Sequence, residues 1–406
     1  MKKIHLLTLA AIGLVSFIIV SQCSSGPPEP LTAKSFLEHV KFLADPKLEG
    51  RLPGTEGCRK AGDYIAGKLK SWSVEPLGDN GSFFQKADWK SRRGEKIESR
   101  NVIGIIRGSD EKMKKEAILI VAHYDHVGKA SDPGGKKKAK IYTGANDNAS
   151  GVAALLEAAR MIKERKLKPK RSIVFLASTG EETGMHGSGY YTEHPTFPLE
   201  KTQAVINADQ VGGYERGVAV MGVHMSPQFD NALDAALKGA DIKVSRQKIA
   251  GRGDNASFNN RFIPSLFFWT GYGNHYHKTS DTVKNINSKK GAEITEVIIK
   301  LAAHLADVEK IETIFSRPRG SYRPFVGIGY DTPGDGLRLT SVVKGSPADK
   351  AGLKKGDLIT AMDKHKLGGS RRLSEILSEY KPGDAVEVTV KRGKKTMKLK
   401  ITLGKR

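Results

Sequence analysis

The sequence predicts an α/β protein, a three-layer sandwich around a mostly parallel central sheet, followed by a small β-rich module. Three observations predict it. Apolar runs bounded by turn residues alternate with amphipathic segments from Thr32 to Ile314. Several runs are apolar at nearly every position, as strands covered on both faces require. Beyond Ile314 the alternation stops and short β-like segments follow.

The elements read in order. SFLEHVKFLAD and CRKAGDYIAGKLKSW place apolar residues at helical spacing. NVIGIIRG (Asn101 to Gly108) and AILIVAHYDH (Ala117 to His126) read as strands, the second as a buried parallel one. GVAALLEAARMIKERK is a helix, and RSIVFLAST (Arg171 to Thr179) and TQAVINADQVG (Thr202 to Gly212) are further strands. FDNALDAALKGA is a helix, IPSLFFWTG a strand, and KKGAEITEVIIKLAAHLADVEKIE a long closing helix. SRPRGSYRP (Ser316 to Pro324) is rich in Pro, Gly and Arg and marks a linker, taken as residues 315–323. FVGIGYD, LRLTSVV, AVEVTVKRG and TMKLKITLG then read as short strands, with helical patterns at SPADKAGL and RRLSEILSEY. The domains expected are therefore 32–314 and 324–406, with no internal repeat.

A chain of 406 residues can bury two separate cores. Hydrophobic content of 38% and charged content of 27% suit a globular protein. The net charge of +23, from 67 Lys+Arg against 44 Asp+Glu, is unusual. The lysines are scattered, densest in GGKKKAK, without aromatics interleaved to stack bases. A solvated basic surface facing an anionic envelope is expected, and nucleic-acid binding is not.

MKKIH is a basic start, and LLTLAAIGLVSFIIV is an apolar run of 15 residues, short for a membrane span and suited to an export signal. SQCSSGPPEP follows. A Cys directly after the apolar run resembles a bacterial lipoprotein cleavage site, although Gln22 stands where a small residue is preferred. The expectation is a signal over 1–23, lipidation at Cys23 and a tether over 24–31. A simple cleaved signal or an uncleaved anchor is the alternative. The other cysteine, Cys58, sits at a helix start and reads as a buried structural thiol.

Sites in open α/β sheets form beyond the carboxyl ends of strands. His123, Asp125 and His126 follow AILIVA. Asp147 follows AKIYTG, Glu181 and Glu182 follow RSIVFLAST, and Asp209 follows TQAVIN. His275 and His277 follow IPSLFFWTG. Each alone has an ordinary reading: a satisfied histidine, a solvated glutamate pair, a helix cap at Asp147. Together they gather carboxylates that repel one another unless a cation sits among them. Imidazole and carboxylate without thiolate suit zinc or a similar divalent ion.

AHYDH, GANDNASG, STGEETGMHGS, INADQVGG and YHKTSDT, in that order, resemble the motifs of the secreted di-zinc aminopeptidases. That fold, the zinc exopeptidase type, is shared with glutamate carboxypeptidase, the transferrin receptor ectodomain and glutaminyl cyclase. LEGRLPGTEGCRKAGDYIAGKL is similar to the family's entry region. The resemblance covers Thr32 to Ile314 and implies two zinc ions. It implies that His123 and Asp209 bind one, Glu182 and His277 the other, and that Asp147 bridges them. It also implies a cis bond at Asp147-Asn148, Asp125 orienting the His123 ring, Asp281 supporting the centre, and Glu181 as general base. His277 is preferred to His275 because its spacing to Asp281 matches. Tyr276 stands where some relatives stabilise an oxyanion, and Arg252 in GRGDNASF where they contact substrate. His126 and His186 read as structural or as supports behind the ligands. The implied chemistry is peptide hydrolysis through a metal-bridging hydroxide, with Glu181 moving the water's proton to the leaving amine.

SVVKGSPADKAGLKKGDLI and YKPGDAVEVTVKRGKK resemble a bacterial PDZ domain. RPFVGIGYD stands where such domains capture a peptide C-terminus, departing from the usual Gly-Leu-Gly-Phe loop. Recruitment of peptide substrates, or regulation, is its implied role. Asn101 to His123 leaves no room for a protease-associated insertion. The leading reading is a zinc metallo-aminopeptidase of the bacterial cell envelope. A glutaminyl cyclase, whose relatives use one zinc, and a carboxypeptidase are alternatives on the same scaffold. A binding module that has lost catalysis is a third, opposed by the presence of all five ligands and Glu181.

Overall fold

The structure, a computed structural model, describes residues 30–91, 93–130, 139–314 and 324–405, except 333, 344, 369–372, 378 and 394. The expected export signal with Cys23, nearly all of the tether, and the linker at 315–323 lie outside the described residues.

The first helix, α1 (Ala33–Leu43), begins at a capping box. The Thr32 hydroxyl accepts from the Ser35 amide at 3.0 Å and the Ser35 hydroxyl from the Thr32 amide at 3.1 Å. α2 (Glu56–Ser71) is capped by Thr55. Nine strands form the main sheet: β1 (Glu75–Pro76), β2 (Phe84–Lys86), β3 (Arg100–Ile106), β4 (Ala117–His123), β5 (Ser172–Ser178), β6 (Thr202–Ala208), β7 (Val218–Met221), β8 (Val244–Gln247) and β9 (Ser265–Trp269). Their order is β1-β3-β5-β4-β6-β9-β7-β8, with β2 also on β3. The central four, β5, β4, β6 and β9, run parallel.

Alternation along β4 builds the three layers. Ile118 and Ile120 point into one core, with α1, α2, α3 (Gly151–Glu164), α5 (Pro227–Leu237) and α7 (Ser288–Asp307). Leu119 and Val121 point into the other, against Tyr191 of α4 (His186–Glu193) and Phe258 of α6 (Asn255–Asn259). Every residue of β4 and β5 is buried. The parallel centre aims four strand ends at one edge of the sheet.

Two details differ from the sequence reading. NVIGIIRG forms β3 but runs antiparallel to β5. An apolar run marks burial and carries no direction. Strands β1, β2, β7 and β8 were not expected. None exceeds four residues, so none carries a strong period.

Residues 324–405 form a separate β-rich unit. Ile328–Asp331, Leu337–Val342, Leu358–Met362, Ala385–Arg392 and Lys395–Thr402 make its sheet in that order, with Pro347–Lys350 and Leu373–Leu377 helical. Val386, Val388 and Val390 alternate into its own core with Leu339 and Ile359. Leu358–Met362 and the short His365–Lys366 strand paired with it are missing from the sequence reading.

The main domain also buries a polar pin between α1 and α3. Glu157 takes hydrogen bonds from Ser35 Oγ at 2.8 Å and Arg160 Nη2 at 2.6 Å, and pairs with His39 Nε2 at 3.1 Å. Burial alone raises its pKa, but His39, Arg160 and Ser35 outweigh that and hold the carboxyl down to about 2. A folded-state pKa below the ordinary 4.5 stabilises the fold above pH 4.5, and that contribution fades as pH falls toward 2. Glu157→Gln is expected to lose about 1–3 kcal/mol of stability at pH 7. Denaturant titrations of both proteins between pH 7 and 2.5 check this: the gap must narrow on acidification.

Candidate metal centre

Each sequence-predicted ligand stands where the sheet edge delivers it. His123 ends β4. Glu181 and Glu182 follow β5 through Thr179 and Gly180. Asp209 follows β6, and His277 lies past β9. Asp147 is the exception, because AKIYTG forms no strand and contributes only an isolated bridge, Lys129 to Ile141. Asp147 rides instead on the turn Ala145–Ser150, before α3.

The structure brings the ligand set into two adjoining groups. His123 Nε2 lies 3.4 Å from Asp147 Oδ1 and 3.4 Å from Asp209 Oδ1. His277 Nε2 lies 3.3 Å from Asp147 Oδ2 and 2.8 Å from Glu182 Oε2. Asp147 thus turns one oxygen to each group. Zinc bonds of about 2.0–2.1 Å in a tetrahedron put ligand atoms about 3.3–3.4 Å apart. Three of the four separations match that edge. His123 Nε2, Asp209 Oδ1 and His277 Nε2 are buried and make no hydrogen bond. Such orphaned atoms at ligand spacing fit two divalent cations. His126 completes the second group with Asp147, Glu182 and His277. His275 faces away, its Nδ1 bonded to Ser280 at 2.9 Å.

Electrostatics agree. Burial pushes Asp209 up to about 6, with Asp147 and Glu182 adding repulsion against the pull of His123. Burial, reinforced by Asp209, Asp254 and Asp125, raises Glu181 to about 9. Asp147 and Glu182 raise His277 to about 10. His123 is also raised, despite its burial, by Asp209, Asp125 and Asp147. Burial raises Asp147 and Glu182, but their histidine partners outweigh it and hold both carboxyls down, so without a cation the imidazoles supply the cluster's positive charge.

The Asp147 side chain does not cap α3; Asn148 does that work. Asn148 Oδ1 accepts from Gly151 N at 2.9 Å and Gln210 N at 3.1 Å, while its amide donates to Ala208 O at 3.0 Å. Ser150 Oγ accepts from Val211 N at 3.0 Å. The Asp147 turn, which contains the cis Asp147-Asn148 bond, is thereby knitted to the Asp209 turn. Asp281 cradles it from below, accepting from Asn146 N at 2.9 Å and Asp147 N at 3.0 Å.

Asp125 lies against the His123 ring, its carbonyl 3.3 Å and its carboxylate 3.7 Å from His123 Nδ1. The carboxylate also accepts from Glu181 N at 3.3 Å and so steadies the Glu181 backbone. Tyr276 stacks on His277, ring centroids 3.9 Å apart, and lines a cleft of about 630 Å³ beside the centre. Arg252 is exposed on the loop before α6. His186 stacks on Trp89.

Sequence reasoning missed two residues. Asp254 is fully buried, accepts from Ser178 Oγ at 2.6 Å and leaves Oδ1 unpartnered behind Glu181. Its signal was the DN of GRGDNASF, a loop read only for its arginine. Arg51 is buried and donates to the carbonyls of Leu43, Tyr124, Thr143 and Gly144, tying the His123 loop to the Asp147 turn. Cys58 is buried and free, its thiol pushed up to about 12 by burial.

Fold and site together define a zinc peptidase on an α/β sandwich. Residues 101–302 match the profile of peptidase family M28 and residues 324–403 that of the PDZ domain, so the chain belongs to the M28 peptidases and carries a PDZ domain. It is 25% identical over 223 residues to Aminopeptidase YwaD of Bacillus subtilis, covering 52% of this chain and 46% of that one. It is 25% identical over 291 residues to Leupeptin-inactivating enzyme 1 of Streptomyces exfoliatus, covering 66% and 60%. The chain thus spans about half the length of these curated relatives. A leucine aminopeptidase precursor from Bacteroides thetaiotaomicron has a TM-score of 0.55 at 22% identity, covering 68% of this chain and 98% of that one. A glutaminyl cyclase from Tannerella forsythia has 0.56 at 22%, covering 68% and 99%. These solved structures share the fold. Among the described residues no helix is long and apolar enough to cross a membrane.

If Asp281 fixes the Asp147 turn, Asp281→Asn weakens zinc binding about 10–100-fold, because the amide cannot accept from both backbone N–H groups. Competition against a chromophoric chelator measures it. Unchanged affinity would detach Asp281 from the centre.

Proposed function

We propose that the protein is a zinc aminopeptidase that removes N-terminal residues from peptides, using two zinc ions. The observation that carries this reading is the shared Asp147 carboxylate, one oxygen at ligand spacing from His123 and the other from His277. In this reading His123 and Asp209 hold one ion, Glu182 and His277 the other, and Asp147 both. When bound, the ions polarise the scissile carbonyl and acidify water.

The chain's own groups do the rest. Glu181 is half-buried beside the centre with its backbone tied to Asp125. It takes a proton from water and delivers it to the leaving amine. Tyr276 faces the adjoining cleft, where it would hydrogen-bond the developing oxyanion. Arg252 is assigned to the substrate's backbone or carboxylate. The relative named aminopeptidase supports exopeptidase action. Glutaminyl cyclases share the fold, but two complete ligand groups favour a two-ion hydrolase.

The unit at 324–406 would recruit or gate peptides by their C-termini, joined to the 32–314 domain by the linker at 315–323. A signal over 1–23 with a lipid at Cys23 would place the enzyme on the bacterial envelope, where its basic surface faces anionic partners.

The test is a panel of aminoacyl nitroanilides with and without chelator, beside an N-acetylated control. Chelator is expected to abolish turnover and the blocked control to resist cleavage. Glu181→Gln is expected to lose about 10²–10⁴-fold in kcat with its zinc content unchanged. Turnover of Glu181→Gln at the wild-type rate, or cleavage of the acetylated control, overturns the reading.

A further inference from the structure

His126 has no role in the chemistry above, yet it lies at the centre. It is fully buried. Its backbone amide donates to Arg51 O at 3.3 Å. Its ring packs against the backbone of Gly144, where a Cβ would come within 2.6 Å of ring atoms. The ring meets that of His277 edge-on, centroids 5.7 Å apart. This imidazole has no freedom to swing.

What it touches is specific. His126 Nδ1 makes a hydrogen bond of 2.7 Å to Glu182 Oε1. The other oxygen, Oε2, faces His277 Nε2 at 2.8 Å, and that nitrogen makes no hydrogen bond despite the distance. The two histidines therefore treat one carboxylate differently. His126 is aligned for a hydrogen bond to Oε1. His277 is aligned with Oε2 and Asp147 Oδ2 as neighbours around a common point.

We propose that His126 is a positioning residue for the second zinc ion: its Nδ1–H holds Glu182 Oε1 and leaves Oε2 as the one oxygen offered to the ion. A free carboxylate can rotate, or offer both oxygens to a cation. Fixing one oxygen removes those alternatives before the ion arrives. Partners behind the ligands typically carry 10–100-fold in metal affinity. The inference rests on the two-ion reading above.

The experiment is zinc titration of the full chain against a chromophoric chelator, with metal content after gel filtration. The proteins are wild type, His126→Ala, His126→Asn and His277→Ala. Melting of the metal-free proteins shows whether each variant is folded. Wild type is expected to bind two ions and His277→Ala one, which tests the parent reading independently of His126. His126→Ala is expected to weaken one of the two sites about 10–100-fold and leave the other unchanged. Asn places an amide N–H near the Nδ1 position, so His126→Asn is expected to recover most of the loss. Wild-type affinities at both sites in a folded His126→Ala overturn the proposal. So does an Asn variant as weak as Ala, since that would make the imidazole itself a ligand.

Discussion

Mutual repulsion among buried carboxylates is the constraint to which the rest of this structure answers. Asp125, Asp147, Asp209 and Asp254 are all buried, and the Glu182 carboxylate joins them at one edge of the sheet. A protein-borne cation could neutralise such a cluster. The buried guanidinium at hand does so only in part. Arg51 directs its donors to four carbonyl oxygens and reaches Asp125, Asp281 and Asp147 only through space, so its main work is to bind the loops together. Rigidity and neutralisation are thereby largely separated. The chain supplies the first and leaves much of the second to added cations.

The parallel centre of the sheet explains why five distant segments can meet this constraint together. Strands β4, β5, β6 and β9 end at the same edge, and the segments that follow them return side chains to it. Side chain to backbone hydrogen bonds then join the turns. Asn148 and Ser150 knit the Asp147 turn to the Asp209 turn, and Asp281 ties it to the segment after His277. The neighbouring glutamates inherit different surroundings from this frame. Glu182 is held by His126 and faces His277. Glu181 faces Asp209, Asp254 and Asp125, which favours its protonated form.

Much of this was legible in the sequence, for identifiable reasons. Strand β4 is apolar at every position but its last, where His123 interrupts it, and such an interruption at a strand end is visible in one dimension. The adjacent Glu181-Glu182 and the YHKTSDT segment stand out in the same way. The supporting residues do not. Arg51, Asn148, Ser150 and Asp254 are ordinary loop residues whose local reading is a turn or a solvated charge. Their partners lie far along the chain: 60 residues separate Asn148 from Ala208, and 76 separate Ser178 from Asp254. Nothing local reports such pairings. Strands β7 and β8 escaped for a related reason, being short, with β8 half exposed at the sheet's edge.

The network has an energetic consequence. A centre whose ligands must be gathered on binding spends part of the metal's affinity on ordering them. Here the Asp147 turn is fixed by backbone and side-chain hydrogen bonds that involve no ligand atom. From that fixed turn Asp147 stands 3.4 Å from His123 and 3.3 Å from His277. Cation binding then acts mainly by exchanging protons and repulsion for coordination, and it stabilises the folded state by mass action. Cys58 fits the same logic. A buried thiol pushed up to about 12 presents no thiolate, so it does not compete with His123 or His277 for a zinc ion. The one thiol among the described residues is thus kept out of the coordination chemistry, which falls to imidazole and carboxylate.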